Sequence, residues 1–142
     1  MSDSVSIEQI NRFHKESLIS TLGIVCTCVK NGYIEMTMPV TEVSCQPIKV
    51  LHGGASLALA ETAAGCGSYY MVNGEKFPWG IHVNGTHISP APLGETVIAK
   101  ASLFHKTNTV HIWDVNIYIL NTGQLISSSR VTNRLKEFKP TS

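Results

Sequence analysis

The chain has 142 residues, 43% hydrophobic and 15% charged, with eleven Lys and Arg against ten Asp and Glu. That length suits one domain of ordinary size. The near-zero net charge excludes a nucleic-acid-binding stripe or an acidic tail, the apolar content excludes disorder, and the Gly and Cys counts exclude collagen-like and disulfide-rich classes. So few charges point to a large buried fraction, helped by a subunit interface.

Met1-Ser2-Asp3-Ser4 lacks the basic and apolar regions of a secretory signal, and Cys26, Cys28, Cys45 and Cys66 form no C-x-x-C pair. Cys26 and Cys28 are expected on one strand face as small hydrophobes, in a reducing cytoplasm. From Ile7 to about residue 19, apolar side chains at Ile7, Ile10, Phe13, Leu18 and Ile19 predict an amphipathic opening helix. Two β-rich runs, Gly23 to Val29 and Tyr33 to Met38, flank Asn31-Gly32, a hairpin signal in which both turn residues tolerate positive φ. Pro39 and Pro47 bracket a loop leading to Leu51-His52-Gly53-Gly54.

Beyond Pro78 the period changes to that of strands: Ile81 to Ile88, Glu95 to Phe104, Val110 to Leu120 and Gln124 to Leu135, separated by turn-forming segments. Short turns make neighbours antiparallel. The expected outline is helix, hairpin, central helix and a four-stranded meander, an α+β fold.

Gly53 to Met71 holds 19 residues with a single charge, Glu61, among eleven apolar residues, four glycines and three hydroxyl residues. The ionisable group near its centre makes a membrane span unattractive. A helix apolar on nearly every side is otherwise one buried on nearly every side, so five to six antiparallel strands are expected to wrap it. A carboxylate in such a site costs several kcal/mol unless it is paired, hydrogen-bonded or protonated. Glu61 has no cation three or four residues away, so it reads as a catalytic group rather than a paired rim residue.

His52 precedes two glycines whose backbone N–H groups, at a helix start, can polarise a carbonyl or hold an oxyanion. Gln46, six residues upstream, could orient a water or the carboxylate. Taken singly, His52 could merely cap the helix and Gln46 merely sit on the surface.

Gln46, His52-Gly53-Gly54 and Glu61 at these spacings resemble the hot-dog-fold acyl-CoA thioesterases, in the phenylacetic-acid-degradation, 4-hydroxybenzoyl-CoA and 1,4-dihydroxy-2-naphthoyl-CoA subgroup. Asn84-x-x-His87, His105-Lys106 and Ser127-Ser128-Ser129-Arg130 look like the same family, over roughly residues 20 to 135. The resemblance implies hydrolysis of an acyl-CoA to free acid and CoA, without metal or cofactor. It makes Glu61 nucleophile or general base, gives the carbonyl to the Gly53 N–H, and gives assisting roles to His52 and Gln46. Gly54, Gly65, Asn84, His87, Lys106, Ser129 and Arg130 become substrate-binding candidates, Arg130 foremost for the CoA phosphates. Gly65 stands where relatives often carry Ser or Thr, which widens the pocket, and Ser89 where some carry Arg.

The resemblance also implies a homodimer with sheets joined edge to edge, and a homotetramer as a dimer of dimers. Helix arithmetic agrees on the dimer: eight residues separate Gly53 from Glu61, about 12 Å of rise. One thioester cannot lie within ~3 Å of both, so the two must come from different subunits. An acyl-CoA sensor and an acyl-thioester dehydratase or hydratase on the same fold are the alternatives. No membrane or nucleic-acid partner is expected.

The remaining motifs are weaker. Ser56 in Gly54-Ala55-Ser56-Leu57-Ala58 lacks the preceding strand of a nucleophile elbow. Gly65-Cys66-Gly67 lacks a dinucleotide fingerprint. His82 and His87 fall on opposite strand faces, and His105 and His111, flanking a turn, read equally well as surface residues or as ligands. Tyr69, Tyr70, Phe77 and Trp79 are either core or the lining of an acyl tunnel.

Overall fold

The structure, a computed structural model, describes residues 5–137. Its elements in chain order are α1 (Ile7–Phe13), α2 (Leu18–Thr21), β1 (Val25–Lys30), β2 (Tyr33–Pro39), α3 (Gly53–Met71), β3 (Phe77–His87), β4 (Thr96–Lys106), β5 (Val110–Ile119) and β6 (Leu125–Lys136).

The opening segment departs from a single helix. Ser6 and Gln9 form a reciprocal capping box that starts α1. The helix stops at Phe13, Glu16 takes a φ of 58°, and Ser17 opens the short α2. A continuous helix would carry Ile19 past its packing surface. The turn lets Ile19 face α3 while Leu18 stays exposed. Asn11 anchors α1 to the sheet: its amide donates to the Cys26 carbonyl at 3.1 Å and accepts from the Cys26 N–H at 2.9 Å.

Six strands form one antiparallel sheet in the order β1-β2-β4-β5-β6-β3. The expected meander holds only for β4 to β6. Strand β3 lies at the far edge beside β6, and β4 pairs with β2. The reason is α3, which carries the chain from β2 across the sheet to its opposite edge. The β1–β2 hairpin turns at Asn31-Gly32, yet only Gly32 has positive φ, at 80°. A register shift between Cys26 and Cys28 also disturbs their expected common face, leaving Cys26 buried and Cys28 half-buried.

Alternation on β2, β5 and β6 turns Ile34, Met36, Met38, Trp113, Val115, Ile117 and Val131 toward α3, where all are buried. The helix packs tightly on the sheet at Gly67, where a Cβ would stand 2.6 Å from the Trp113 ring. Its next residue, Ser68, is the centre of a buried polar node. The Ser68 hydroxyl accepts from Trp113 Nε1 at 2.8 Å and Asn133 Nδ2 at 3.2 Å, and lies 2.8 Å from His111 Nδ1. With both lone pairs used, its proton goes to His111 Nδ1, so the imidazole is neutral with hydrogen on Nε2. His111 is therefore interior, which settles it against the surface alternative. It faces α3 because odd-numbered positions of β5 do so.

No helix among the described residues is long and apolar enough to cross a membrane.

Candidate active site

Helix α3 lies against edge strand β3, antiparallel to it, with glycine at each close approach. A Cβ on Gly53 would meet His87 Nε2 at 2.6 Å, one on Gly85 would meet Leu57 Cδ2 at 2.9 Å, and one on Gly80 would meet Glu61 Cδ at 2.9 Å. Beside Gly80 the β3–β6 ladder shifts register. Bulges of this kind re-aim backbone and side chains next to functional groups.

Glu61 is exposed in the single chain, which corrects the expectation of a sequestered carboxylate. It projects from the side of α3 facing β3, and β3 is an edge strand that buries little of what lies beyond it. The carboxylate stands at a cavity of about 340 Å³ whose walls come from three places. The end of α1 supplies Phe13 and His14, α3 supplies Gly65, Cys66 and Tyr69, and the start of β3 supplies Phe77 to Gly80. Phe13 stacks on Tyr69 with centroids 5.9 Å apart, and Phe77 meets Trp79 edge-on at 5.0 Å. No atom lies within 4 Å of where a Gly65 Cβ would be, so this position leaves open space one helical turn from Glu61.

The opposite end of the site sits at the α3 N-terminus. A second cavity, of about 300 Å³, brings together Gln46, Gly53, Ser56, His87 and Ser89. His52 is the N-cap: its Nδ1 accepts from the Gly54 N–H at 2.8 Å, so it occupies one of the two glycine donors. Among the described residues the Gly53 N–H has no hydrogen-bond partner. His87 lies beside it, with Nδ1 3.3 Å from the Ser127 hydroxyl and Nε2 over Gly53.

The other candidates are dispersed. Ser129 is buried beneath Leu57 and Gly85, and its hydroxyl lacks a partner. Asn84 pairs with Arg130 across the β3–β6 ladder. Arg130 faces away from α3, where its Nε donates to Asp114 at 2.8 Å and its guanidinium covers Phe104 at 3.9 Å. That hydrogen bond raises its already high pKa. Lys106 lines a separate cleft with Lys76 and Asn108. Ser56 is buried, and no group of three or more His, Cys, Asp or Glu among the described residues could hold a metal.

Two residues at the site escaped the sequence reading. Gly80 carries a weak signal, a glycine directly before the strand-forming run that begins at Ile81. His14 carries none, because only the fold brings the end of α1 over the middle of α3.

A long helix wrapped by an antiparallel six-stranded sheet, with a carboxylate and a helix N-terminus on its exposed flank, defines a hot-dog thioesterase. Residues 48–126 match the thioesterase superfamily, and the chain belongs to that family. It is a thioester hydrolase. A 1,4-dihydroxy-2-naphthoyl-CoA hydrolase of Escherichia coli is 29% identical over 131 residues, spanning 92% of this chain and 95% of that protein. A Haemophilus influenzae thioesterase structure superposes with a TM-score of 0.88 at 30% identity, covering 95% of this chain and 93% of its own. A Staphylococcus aureus thioesterase structure does so with a TM-score of 0.79 at 34% identity, covering 84% and 98%. The latter has been solved with a glutamine and, separately, a glutamate replaced by alanine, at the spacing that separates Gln46 from Glu61.

Proposed function

We propose that the protein hydrolyses acyl-CoA thioesters to the free acid and CoA, with Glu61 as the reacting carboxylate. The observation that carries this reading is the placement of Glu61 at the mouth of an apolar cavity fit for an acyl group. Acting as general base, Glu61 takes a proton from water as the water oxygen attacks the thioester carbon. Acting as nucleophile, it attacks that carbon itself and the resulting anhydride is hydrolysed. In both routes the C–S bond breaks and the CoA thiolate takes up a proton.

The developing oxyanion belongs at the Gly53 N–H, which has the positive end of α3 behind it and no competing acceptor. His87, with Nε2 at Gly53, is better placed than His52 to reach the carbonyl or the leaving sulfur, since His52 Nδ1 is committed to the Gly54 N–H. Gln46, in the Gly53 cavity, orients the water or the carboxylate arriving from the partner subunit. The CoA phosphates are assigned to Arg130 and Lys106 on resemblance alone.

Gly53 and Glu61 lie about 12 Å apart along one helix, so each complete site takes one from each subunit of a homodimer. Edge strand β3, eleven residues long with Trp79 and Ile81 exposed, offers the joining surface. On β3, His87 marks the Gly53 level and Gly80 the Glu61 level. Antiparallel pairing of two β3 strands about a dyad near Val83 and Asn84 sets each Gly53 opposite the partner's carboxylate. Dimers pairing into a tetramer, and a cytoplasmic location, complete the proposal. No observation favours the sensor or dehydratase readings.

The test is thiol release from a panel of acyl-CoAs by wild type and Glu61→Gln, with mass measured in solution. Loss of about 10²-fold or more in kcat with Glu61→Gln supports the reading. Unchanged turnover, or full activity in a strictly monomeric preparation, defeats it.

A further inference from the structure

The imidazole of His87 is held between the start of α3 and the sheet. His87 and Ser127 face each other across the β3–β6 ladder, so their side chains turn to the same side. One ring nitrogen, Nε2, lies over Gly53, where an added Cβ would stand 2.6 Å from it. The other, Nδ1, lies 3.3 Å from the Ser127 hydroxyl. The chain just beyond His87 is itself tied down, because the Ile88 and Ser89 N–H groups both donate to the Ile126 carbonyl, at 2.7 and 3.3 Å.

The two nitrogens have different surroundings. Ser127 is 0% exposed, whereas His87 is exposed and lines the cavity it shares with Gln46 and Gly53. Among the described residues the Ser127 hydroxyl has His87 Nδ1 as its one hydrogen-bond partner. A buried polar group left without a partner costs about 1–3 kcal/mol. The hydroxyl proton avoids that cost only by going to Nδ1. A neutral imidazole that accepts at one nitrogen carries its hydrogen on the other. Nε2 is then a donor at the helix start, in the neighbourhood of the Gly53 N–H.

We propose that Ser127 is a positioning residue: its hydroxyl holds His87 as the Nε2–H tautomer, so that this N–H joins the Gly53 N–H as a second donor to the thioester carbonyl oxygen. The ring stays neutral and keeps its proton. What it supplies is a hydrogen bond that strengthens as negative charge builds on the oxygen. A ring released by Ser127 can turn over about Cβ–Cγ or carry its hydrogen on Nδ1, and either change withdraws the donor. This inference rests on the proposed thioesterase reading, and it narrows the role of His87 from carbonyl or leaving sulfur to the carbonyl.

The experiment has two arms. In the first, 15N–1H spectra of the His87 ring are recorded without substrate for wild type and Ser127→Ala. Wild type should carry the ring hydrogen on Nε2, and Ser127→Ala should show a mixture of tautomers or a mobile ring. In the second, kcat and KM are measured for wild type, Ser127→Ala, His87→Ala and the double variant, with the acyl-CoA that wild type hydrolyses fastest. Removal of one oxyanion donor costs about 10²-fold in kcat, so His87→Ala should approach that loss and Ser127→Ala, which only loosens the donor, about tenfold with little change in KM. In the His87→Ala background Ser127→Ala should cost nothing further, whereas a packing defect lowers the rate equally in both backgrounds. A wild-type ring with its hydrogen on Nδ1, a Ser127→Ala ring as fixed as wild type, full kcat in Ser127→Ala, or equal losses in the two backgrounds overturns the assignment. Absence of thiol release by wild type from every acyl-CoA is the failure of the thioesterase reading instead, and the spectra distinguish the two because they need no turnover.

Discussion

The Glu61 carboxyl group rests against the bare backbone of Gly80: a Cβ there would lie 2.9 Å from Glu61 Cδ and 3.1 Å from one carboxylate oxygen. The strand residue thereby sets where the proposed reacting group can stand. A methyl group at position 80 meets the far end of a flexible side chain, so the chain adjusts with little loss of stability but the carboxylate moves. Displacement of about 1 Å can cost on the order of 10²-fold in rate. Gly80→Ala is accordingly expected to lower kcat by about 10- to 100-fold while shifting the melting temperature by only a few degrees. Unaltered kcat would show that the contact does not position Glu61.

The node at Ser68 concerns stability instead. Its hydroxyl serves Trp113, Asn133 and His111 at once, all within the core. Ser68→Ala removes the shared partner of three buried groups, and each group left unsatisfied costs about 1–3 kcal/mol. A loss of about 3 kcal/mol or more in denaturant unfolding is the expected result. Ser68→Cys, which keeps a weak donor and acceptor, should lose less. A Ser68→Ala protein as stable as wild type would mean that the node contributes nothing.

Far more of the architecture than of the site was legible in the sequence. Local patterns suffice for the strands and for α3: alternation marks β5 and β6, and an uninterrupted apolar stretch with one charge marks the helix. Strand order is not a local property, so the placement of β3 beside β6 escaped the pattern of short turns. His111 stayed open between surface and interior because it follows a turn, whereas its side depends on strand phase. Gln46, His52, Gly53 and Glu61 stand out by spacing, yet spacing does not reveal that His52 consumes a glycine donor or that His87 covers the free one. Arg130 was singled out by its neighbours in sequence, and strand alternation turned it to the outer face toward Asp114. His14 belongs to the cavity only because the fold carries the end of α1 over the middle of α3, a long-range relationship that no local pattern shows.

Burial also gives the fold a dependence on pH. Desolvation lowers the His111 pKa, with nearby Lys106 adding to the effect, and desolvation alone lowers that of His14. Both imidazoles are therefore held neutral in the folded chain and bind protons more readily once it unfolds. The unfolded state takes up more protons below about pH 6.5, the ordinary histidine value, so stability rises with pH through that window. The contribution is complete above pH 6.5 and is lost as pH falls through the lowered values of the folded chain. Urea midpoints at pH 7.5 and 5.5, a range in which ordinary carboxylates stay ionised, should show a clear drop for wild type. His111→Asn, less stable throughout, should show a smaller drop because one of the two linked protons is gone. If the variant and wild type fall in parallel, the His111 site is not linked to folding, and its hydrogen bond to Ser68 does not require the neutral ring.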